Sequence, residues 1–322
     1  MAWVSVNLSA YSQLKIDVMP QNTHHIMMIR PVRFSFNEQT AQSNSFQKAS
    51  TKVDDTQQKA LQEFDHFVDV LRANGVQVWV VDDTEDPHTP DSIFPNNWIS
   101  MHEDSRIALY PMQAENRRLE RRADIAHHLA EVFSMHDIVD YTAAENEGQF
   151  LEGTGSMVLD RDKKICYACL SPRTHPAMLE RFCADFGYKL ISFTAIDKKG
   201  KLIYHTNVVM CVGKQFMLVC FDCIPNETER RLIRNSSTKT IIEISFEQLE
   251  HFAGNMLEVV NEKGDNLLVM SEQAYKSLTV SQVAQLVFFA KIVIAPLYTI
   301  ESNGGGSARC MMAEIFLPLK KK

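Results

Sequence analysis

From residue 24 onward, short apolar runs alternate with amphipathic stretches along the chain. HIMMIRPV reads as a strand ending at Pro31, and VQVWVVDD as a second, β-branched and aromatic. Between them, Asp55 to Asn74 places Ala60, Leu61, Phe64, Phe67, Val68 and Leu71 near helical spacing, and Gly75 stops the helix. IFPNNWISMH and RIALYPM form a hairpin-like pair, and NRRLERRADIAHHLAEVF reads as one charged helix leading to the strand DIVDYT. FLEGTGSMVLDRDKKICYACL gives two strands about an Asp-Arg-Asp turn, followed by a helix around HPAMLERFCADFG and the strand KLISFTAID. IYHTNVVMCVG and QFMLVCFDCI pair as strands ahead of the helix NETERRLIRNSS, which Asn226 caps. TIIEISFEQLEHFAGNM gives strand then helix, and LEVVNEKGDNLLVMS a hairpin across Lys263-Gly264-Asp265. VSQVAQLVFFA is a helix capped by Ser281 or Thr279, and KIVIAPLYTIES is a last long strand.

The recurring unit is two strands, a helix and a strand, roughly 50–60 residues long. Hairpins in every unit argue against a doubly wound parallel sheet. No low-complexity segment or Pro/Gly-rich linker divides the chain. The expectation is an α/β fold in one domain of repeated modules, residues 25–320, with residues 1–24 as a leader outside it and Met19 or Met27 close to the functional start.

Composition narrows the function classes. The chain has 322 residues, 45% hydrophobic and 23% charged, as in an ordinary globular protein. A net charge of −7 offers no basic footprint for nucleic acid or anionic lipid, and is compatible with a small cationic or zwitterionic ligand. The sequence contains no apolar run long enough for a membrane helix, and its N-terminus lacks the regions of a signal peptide, so the default expectation is cytoplasmic. There are seven cysteines. Cys166, Cys169, Cys183, Cys211, Cys220 and Cys223 sit mostly in apolar runs, as buried free thiols do in a reducing compartment. Cys166–Cys169 and Cys220–Cys223 have zinc-ribbon spacing but lie in strand-like runs without knuckle glycines.

The seventh, Cys310, differs. It follows Ser302-Asn303-Gly304-Gly305-Gly306-Ser307-Ala308-Arg309, where three glycines let backbone approach a ligand. Positive charge nearby favours the thiolate, the nucleophilic form. A thiol nucleophile needs a partner that moves protons near neutrality, and His205 in YHTNVV interrupts a strand with polar residues. Glu152, in FLEGTGS, could accept hydrogen bonds from a guanidinium or ureido N–H. Arg173, in SPRTH, could grip a carboxylate in a bidentate pair. Asn96 and Asn97 are polar residues in an otherwise apolar run. Each residue also has a plain structural role open to it: a strand-end histidine, a solvated glutamate, a helix-start arginine, turn asparagines, a flexible connector before a buried cysteine. No P-loop, GxGxxG, GxSxG or HExxH is present, and the cysteine–histidine–carboxylate set is the one constellation that joins nucleophile, base and acid.

Taken together, RPVRFSFNEQTAQSN, SIFPNNWIS, LEGTGSMVLD, SPRTH, YHTNVVM and NGGGSARCMM resemble the pentein superfamily of guanidino-modifying enzymes, over about residues 25–318. That superfamily includes dimethylarginine dimethylaminohydrolases, arginine deiminases and amidinotransferases, and the likeness is nearest to its amidinotransferase-like or citrulline-utilisation hydrolases. The resemblance implies a five-bladed ββαβ propeller with the active site in its central channel. It implies Cys310 as nucleophile, His205 as general acid/base, Glu152 as substrate-orienting carboxylate and Arg173 on the substrate carboxylate, with Gly305 among the substrate contacts. Hydrolysis would run through a covalent S-linked intermediate, with no metal or organic cofactor, on a small amino-acid substrate. Many relatives carry an acid where this chain has Asn96 and Asn97. An amide can both donate to a ureido oxygen and accept from its N–H groups, which moves the expected substrate toward citrulline, with arginine-type substrates still open. An amidinotransferase sharing the covalent step, a non-catalytic binding protein of the same fold, and a homo-oligomer also stay open.

Overall fold

The structure, a computed structural model, describes residues 20–44, 46–48 and 55–320. Its strands form five three-stranded sheets. In the first, β1 (His25–Arg30) runs parallel to β2 (Gln77–Asp82). The others follow in chain order: β3 (Ile99–Met101), β4 (Arg106–Leu109), β5 (Asp137–Asp140); β6 (Val158–Asp160), β7 (Ile165–Cys169), β8 (Lys189–Phe193); β9 (Met210–Val212), β10 (Phe216–Val219), β11 (Thr240–Glu243); and β12 (Leu257–Val260), β13 (Asn266–Ser271), β14 (Lys291–Ala295). In these four the first two strands are an antiparallel hairpin and the third is parallel to the second. β15 (Ala313–Glu314) returns antiparallel to β1, with Ile26 opposite Glu314, so the first blade is closed by the chain's end. A parallel pair needs a crossover, and an amphipathic helix supplies it in every blade: Thr56–Ala73, Ala123–Val132, Pro176–Phe186, Glu227–Asn235 and Val280–Phe289. The fold is the five-bladed ββαβ propeller that the resemblance implied, and its blades are the repeated unit read from the alternation.

The feature that positions the site is short. β3, β6, β9 and β15 are each entered through one helical turn: Pro95–Asn97, Gly153–Ser156, Thr206–Val209 and Ala308–Met311. A turn at Phe252–Asn255 leads into β12 in the same way. These five turns form a ring. Asn96 Nδ2 donates to Thr154 Oγ1 at 3.2 Å, and Thr206 Oγ1 donates to the Ser156 carbonyl at 2.5 Å. Asn255 Nδ2 donates to the Asn207 carbonyl at 2.9 Å, and its Oδ1 accepts from Arg309 N–H at 3.0 Å. Gly306 packs on Phe94 and returns the ring to its start. The backbones approach so closely that a Cβ on Gly254 would lie 2.0 Å from the Val208 carbonyl oxygen.

Several sequence expectations change. The charged stretch from Asn116 is not one helix: a turn at Glu115–Arg118 breaks before Ala123, and Arg122 is extended. Arg117 is buried and paired with Glu120 at 2.9 Å, which turns this segment inward instead of leaving a solvated helical face. FPNN, EGTGS and HTNVV supply helical turns where strand was expected. KIVIAPLYTIES stops as a strand at Ala295, because Pro296 has no N–H for the ladder. Tyr298–Gly304 is instead a helix, with Glu63 accepting the Thr299 and Ile300 N–H groups at 2.8 and 3.0 Å. Thr279, not Ser281, caps Val280–Phe289, in a capping box with Gln282, and Asn226 caps Glu227–Asn235 as expected.

Packing begins ahead of the boundary drawn at residue 24. Gln21 is buried and donates to the Leu159 and Val212 carbonyls, and Thr23 Oγ1 donates to Ile315 O. Met27 lies inside β1, whereas Met19 and most of the expected leader lie outside the described residues. All seven cysteines are free and buried. Cys166 and Cys169 face different cores, as residues three apart on one strand must, so that pair cannot share a metal. Among the described residues no three metal-ligating side chains are grouped, and no helix is long and apolar enough to cross a membrane.

Candidate active site

Glu152 and His205 each stand one residue before a helical turn, and the turns bring them together. Gly155 makes the approach possible: a Cβ there would lie 2.8 Å from His205 Nδ1 and Cε1, and 2.4 Å from Asn97 Nδ2. His205 Nε2 meets Glu152 Oε2 at 2.8 Å, and both side chains are buried. Glu152 Oε2 also faces Arg173 Nη1 at 3.4 Å and Arg117 Nη1 at 3.9 Å, while Oε1 accepts from Gln113 N–H at 3.1 Å. Burial by itself pushes the Glu152 carboxyl up. The charge of Arg173, the bond from His205 and the charge of Arg117 outweigh it and hold the group below the usual carboxylate range. Burial lowers the His205 pKa to about 4 despite the Glu152 contact, with Arg173 and Arg117 adding to the fall. His205 is therefore neutral at neutral pH. An ionised carboxylate only accepts, so Nε2 carries the imidazole proton and Nδ1 is the basic nitrogen.

Cys310 sits in the turn Ala308–Met311, after a glycine run in which Gly305 has φ +64°. Tyr204 Oη donates to the Gly305 carbonyl at 2.5 Å and fixes that loop. Cys310, His205, Arg173, Arg117, Asn97, Asp91, Tyr204 and Gly304–Gly306 line one cavity. The sequence reading had Arg309 favouring the thiolate, and the structure corrects it. The Arg309 guanidinium donates to Met312 O at 2.8 Å and to Glu314 at 2.9 Å, so its charge is already matched.

Of the expected set, Cys310, His205, Arg173, Asn97 and Gly305 line the cavity; Glu152 and Asn96 do not. Glu152 stands against His205 Nε2, outside the residues that line the cavity. Asn96 is spent on the scaffold, accepting from Asn97 Nδ2 at 3.0 Å and donating to Thr154. Arg173 is occupied as well: Nε and Nη2 donate to Ser43 Oγ at 3.0 and 2.7 Å, Nη2 also to the Thr40 carbonyl at 3.0 Å, and the guanidinium stacks on Tyr204. It anchors the segment around Thr40 over the cavity.

Sequence reasoning missed Arg117, Asp91, Asn207 and Asn255. Arg117 is one of four arginines between residues 117 and 122, and nothing in the pattern separates it from the rest. In the fold it is 2% exposed, paired twice with Glu120 at 2.9 Å and donating to Asn97 Oδ1 at 2.8 Å. Asp91 is 2% exposed; Oδ2 accepts from Asn37 Nδ2 at 2.8 Å and Thr40 Oγ1 at 3.1 Å. Its Oδ1 has no hydrogen-bond partner among the described residues. Asp91 thus brings a carboxylate to the cavity six positions before Asn97, where a search confined to FPNNW could not find it.

A family model described as N,N dimethylarginine dimethylhydrolase, eukaryotic, matches residues 30–317. The chain belongs to that family. No protein of curated function matches the sequence significantly. Among solved structures, an arginine dihydrolase of the ornithine–ammonia cycle in cyanobacteria, ArgZ, superposes with a TM-score of 0.72 at 16% identity over 92% of this chain and 41% of its own. This chain therefore spans under half of full-length ArgZ. The isolated N-terminal domain of ArgZ with bound substrate gives 0.72 at 15% identity, over 91% of this chain and 98% of that domain. A dimethylarginine dimethylaminohydrolase adduct gives 0.63 at 16% identity, over 91% of this chain and 100% of its own. The likeness establishes the pentein fold.

Proposed function

We propose that this chain is a cysteine-dependent hydrolase that cleaves a C–N bond in the guanidino group of an arginine-type amino acid. The observation that carries the reading is one cavity lined by a thiol, a neutral imidazole oriented by a carboxylate, and a carboxylate oxygen without a partner. The charge balance favours a cation. Two arginines, Arg117 and Arg173, meet three carboxylates, Glu120, Glu152 and Asp91, leaving one negative charge when all three are ionised, a state that burial opposes at Glu120 (pushed up to about 7) and that a cationic partner favours. Burial pushes the Asp91 carboxyl up, against Arg117 and its two hydrogen-bond donors, so a cationic partner at Oδ1 supplies what the free group lacks. A guanidinium carries only donors and fits that oxygen. A neutral ureido group leaves the charge unbalanced. The reading from Asn96 and Asn97 toward citrulline thus yields to Asp91, although Asn97 in the cavity keeps a ureido substrate as the second reading.

The steps balance as follows. His205 Nδ1 takes the Cys310 proton, and the thiolate adds to the central guanidino carbon. The C–N bond breaks, the departing amine takes the proton from His205, and an S-linked amidino intermediate remains. His205 then removes a proton from water, the hydroxide adds, the C–S bond breaks, and a ureido amino acid leaves with the thiolate restored. The imidazolium formed midway lies against Glu152, which stabilises it. The relatives' own complexes support a covalent route: the N-terminal domain of ArgZ was captured covalently bound to a reaction intermediate.

The test is kcat/KM for arginine, methylated arginines and citrulline on one preparation with no added amine. Faster turnover of an arginine-type substrate supports the reading; faster turnover of citrulline contradicts it. Turnover only with an acceptor amine makes the protein an amidinotransferase.

A further inference from the structure

Two side-chain amides point at one sulfur. Asn207 Nδ2 lies 3.3 Å and Asn255 Nδ2 3.2 Å from Cys310 Sγ. All three groups are at least nine-tenths buried, with Asn207 1%, Asn255 0% and Cys310 3% exposed. They come from three of the five turns around the channel, in consecutive blades, so the arrangement is made by ring closure and not by local sequence. Resting on the assignment of Cys310 as nucleophile, we propose that Asn207 and Asn255 form a donor cradle that stabilises the Cys310 thiolate. In this role they replace the cationic side chain that usually activates a catalytic thiol, since Arg309 is committed to Glu314.

The physical argument is that an N–H donor interacts more strongly with a thiolate than with a thiol. In this buried site, two such donors favour loss of the proton to His205. Both bonds weaken when the sulfur becomes bonded to carbon and loses its charge, and strengthen again as the C–S bond breaks. The cradle thus favours formation of the nucleophile and its departure in the second half-reaction.

The two donors are not equally anchored. Asn255 is held at both ends of its amide, since Oδ1 accepts from Arg309 N–H at 3.0 Å and Nδ2 also donates to the Asn207 carbonyl at 2.9 Å. Asn207 Oδ1 has no hydrogen-bond partner among the described residues, so its amide is oriented by the sulfur alone. Loss of Asn255 is therefore the larger loss, while Asn207 offers the cleaner substitution. Asn207→Asp keeps the shape and replaces the N–H₂ with an acceptor.

The experiment is the rate of iodoacetamide alkylation of Cys310, followed by peptide mass spectrometry between pH 6 and pH 10, in the parent, Asn207→Asp, Asn207→Ser and Asn255→Ala. At pH 7 the Asn207 variants are expected to react about tenfold more slowly than the parent, the loss of roughly one charge-assisted hydrogen bond, and Asn255→Ala more slowly still, all approaching the parent rate toward pH 10. Parent-like rates at pH 7, or a slowing of equal proportion at every pH, would overturn the cradle. Should Asn255→Ala fail to fold, the two Asn207 variants decide alone. No substrate is needed, so the cradle can fail while hydrolysis stands. Alkylation that reaches another cysteine first would instead undo the assignment of the nucleophile.

Discussion

Cys310 is 3% exposed, borders the cavity and belongs to a hydrophobic cluster, while two amides face its sulfur, so alanine removes only that sulfur. Cys310→Ala is therefore expected to abolish turnover while leaving the thermal midpoint within a few degrees of the parent. Melting curves run beside the activity assay check this. His205→Ala is expected to lower kcat by about 10²–10⁴-fold, the usual worth of a general acid–base group. A near-parental rate would remove the residue from the mechanism. His205 also ties stability to pH. Its folded pKa of about 4 lies below the ordinary 6.5, so the native state holds fewer protons than the unfolded chain between those values. The contribution is complete above pH 6.5 and is lost as pH falls toward 4, amounting to roughly 3 kcal/mol for this buried group. His25 and His102, also lowered mainly by burial, add slopes of their own. The readout is thus the difference between parent and His205→Gln in urea unfolding at pH 7 and pH 4.5. The variant should lose less stability on acidification, and an equal loss in both would contradict the account.

At the scale of elements, the sequence pattern marked the blades and concealed the turns. Crossover helices such as Thr56–Ala73 and Pro176–Phe186 carry three or more turns of apolar spacing, and hairpins such as Leu257–Ser271 carry a turn signal between β-branched runs. Pro95–Asn97, Gly153–Ser156 and Thr206–Val209 are three or four residues long, too short for any period to show. Their conformation is set by neighbours in the ring. Cys310 and His205, which line one cavity, each stand in a short polar motif that draws the eye in sequence. Asp91, Arg117, Asn207 and Asn255 matter only through partners far away in sequence. Gly155 tests this scale. Ala at this position would press its Cβ into the His205 ring and the Asn97 amide. Gly155→Ala is expected to lower kcat and to cost about 1–3 kcal/mol of stability, as forced overpacking does. An alanine variant with the parent's midpoint and rate would show that the turns have slack.

At the scale of the molecule, the chain's end closes the ring. β15 pairs with β1, Glu314 takes the Arg309 guanidinium, and the turn before β15 carries Cys310. Removing residues 313–322 opens the first blade along one edge and leaves Arg309 buried without its carboxylate. The truncated protein is expected to lose activity and to unfold well below the parent in a less cooperative transition by circular dichroism. A truncation that kept full activity would show that closure is not needed to hold the site. The central claim is that this closed channel turns Cys310 into a covalent catalyst on a guanidino group, and one measurement addresses it most directly. The protein is mixed with arginine or a methylated arginine, quenched in acid within the first turnovers, and examined by intact and peptide mass spectrometry. The account predicts an adduct on Cys310 with the mass of the substrate less its departing amine, absent from Cys310→Ala. Steady turnover with an adduct on another cysteine, or turnover retained in Cys310→Ala, would contradict it.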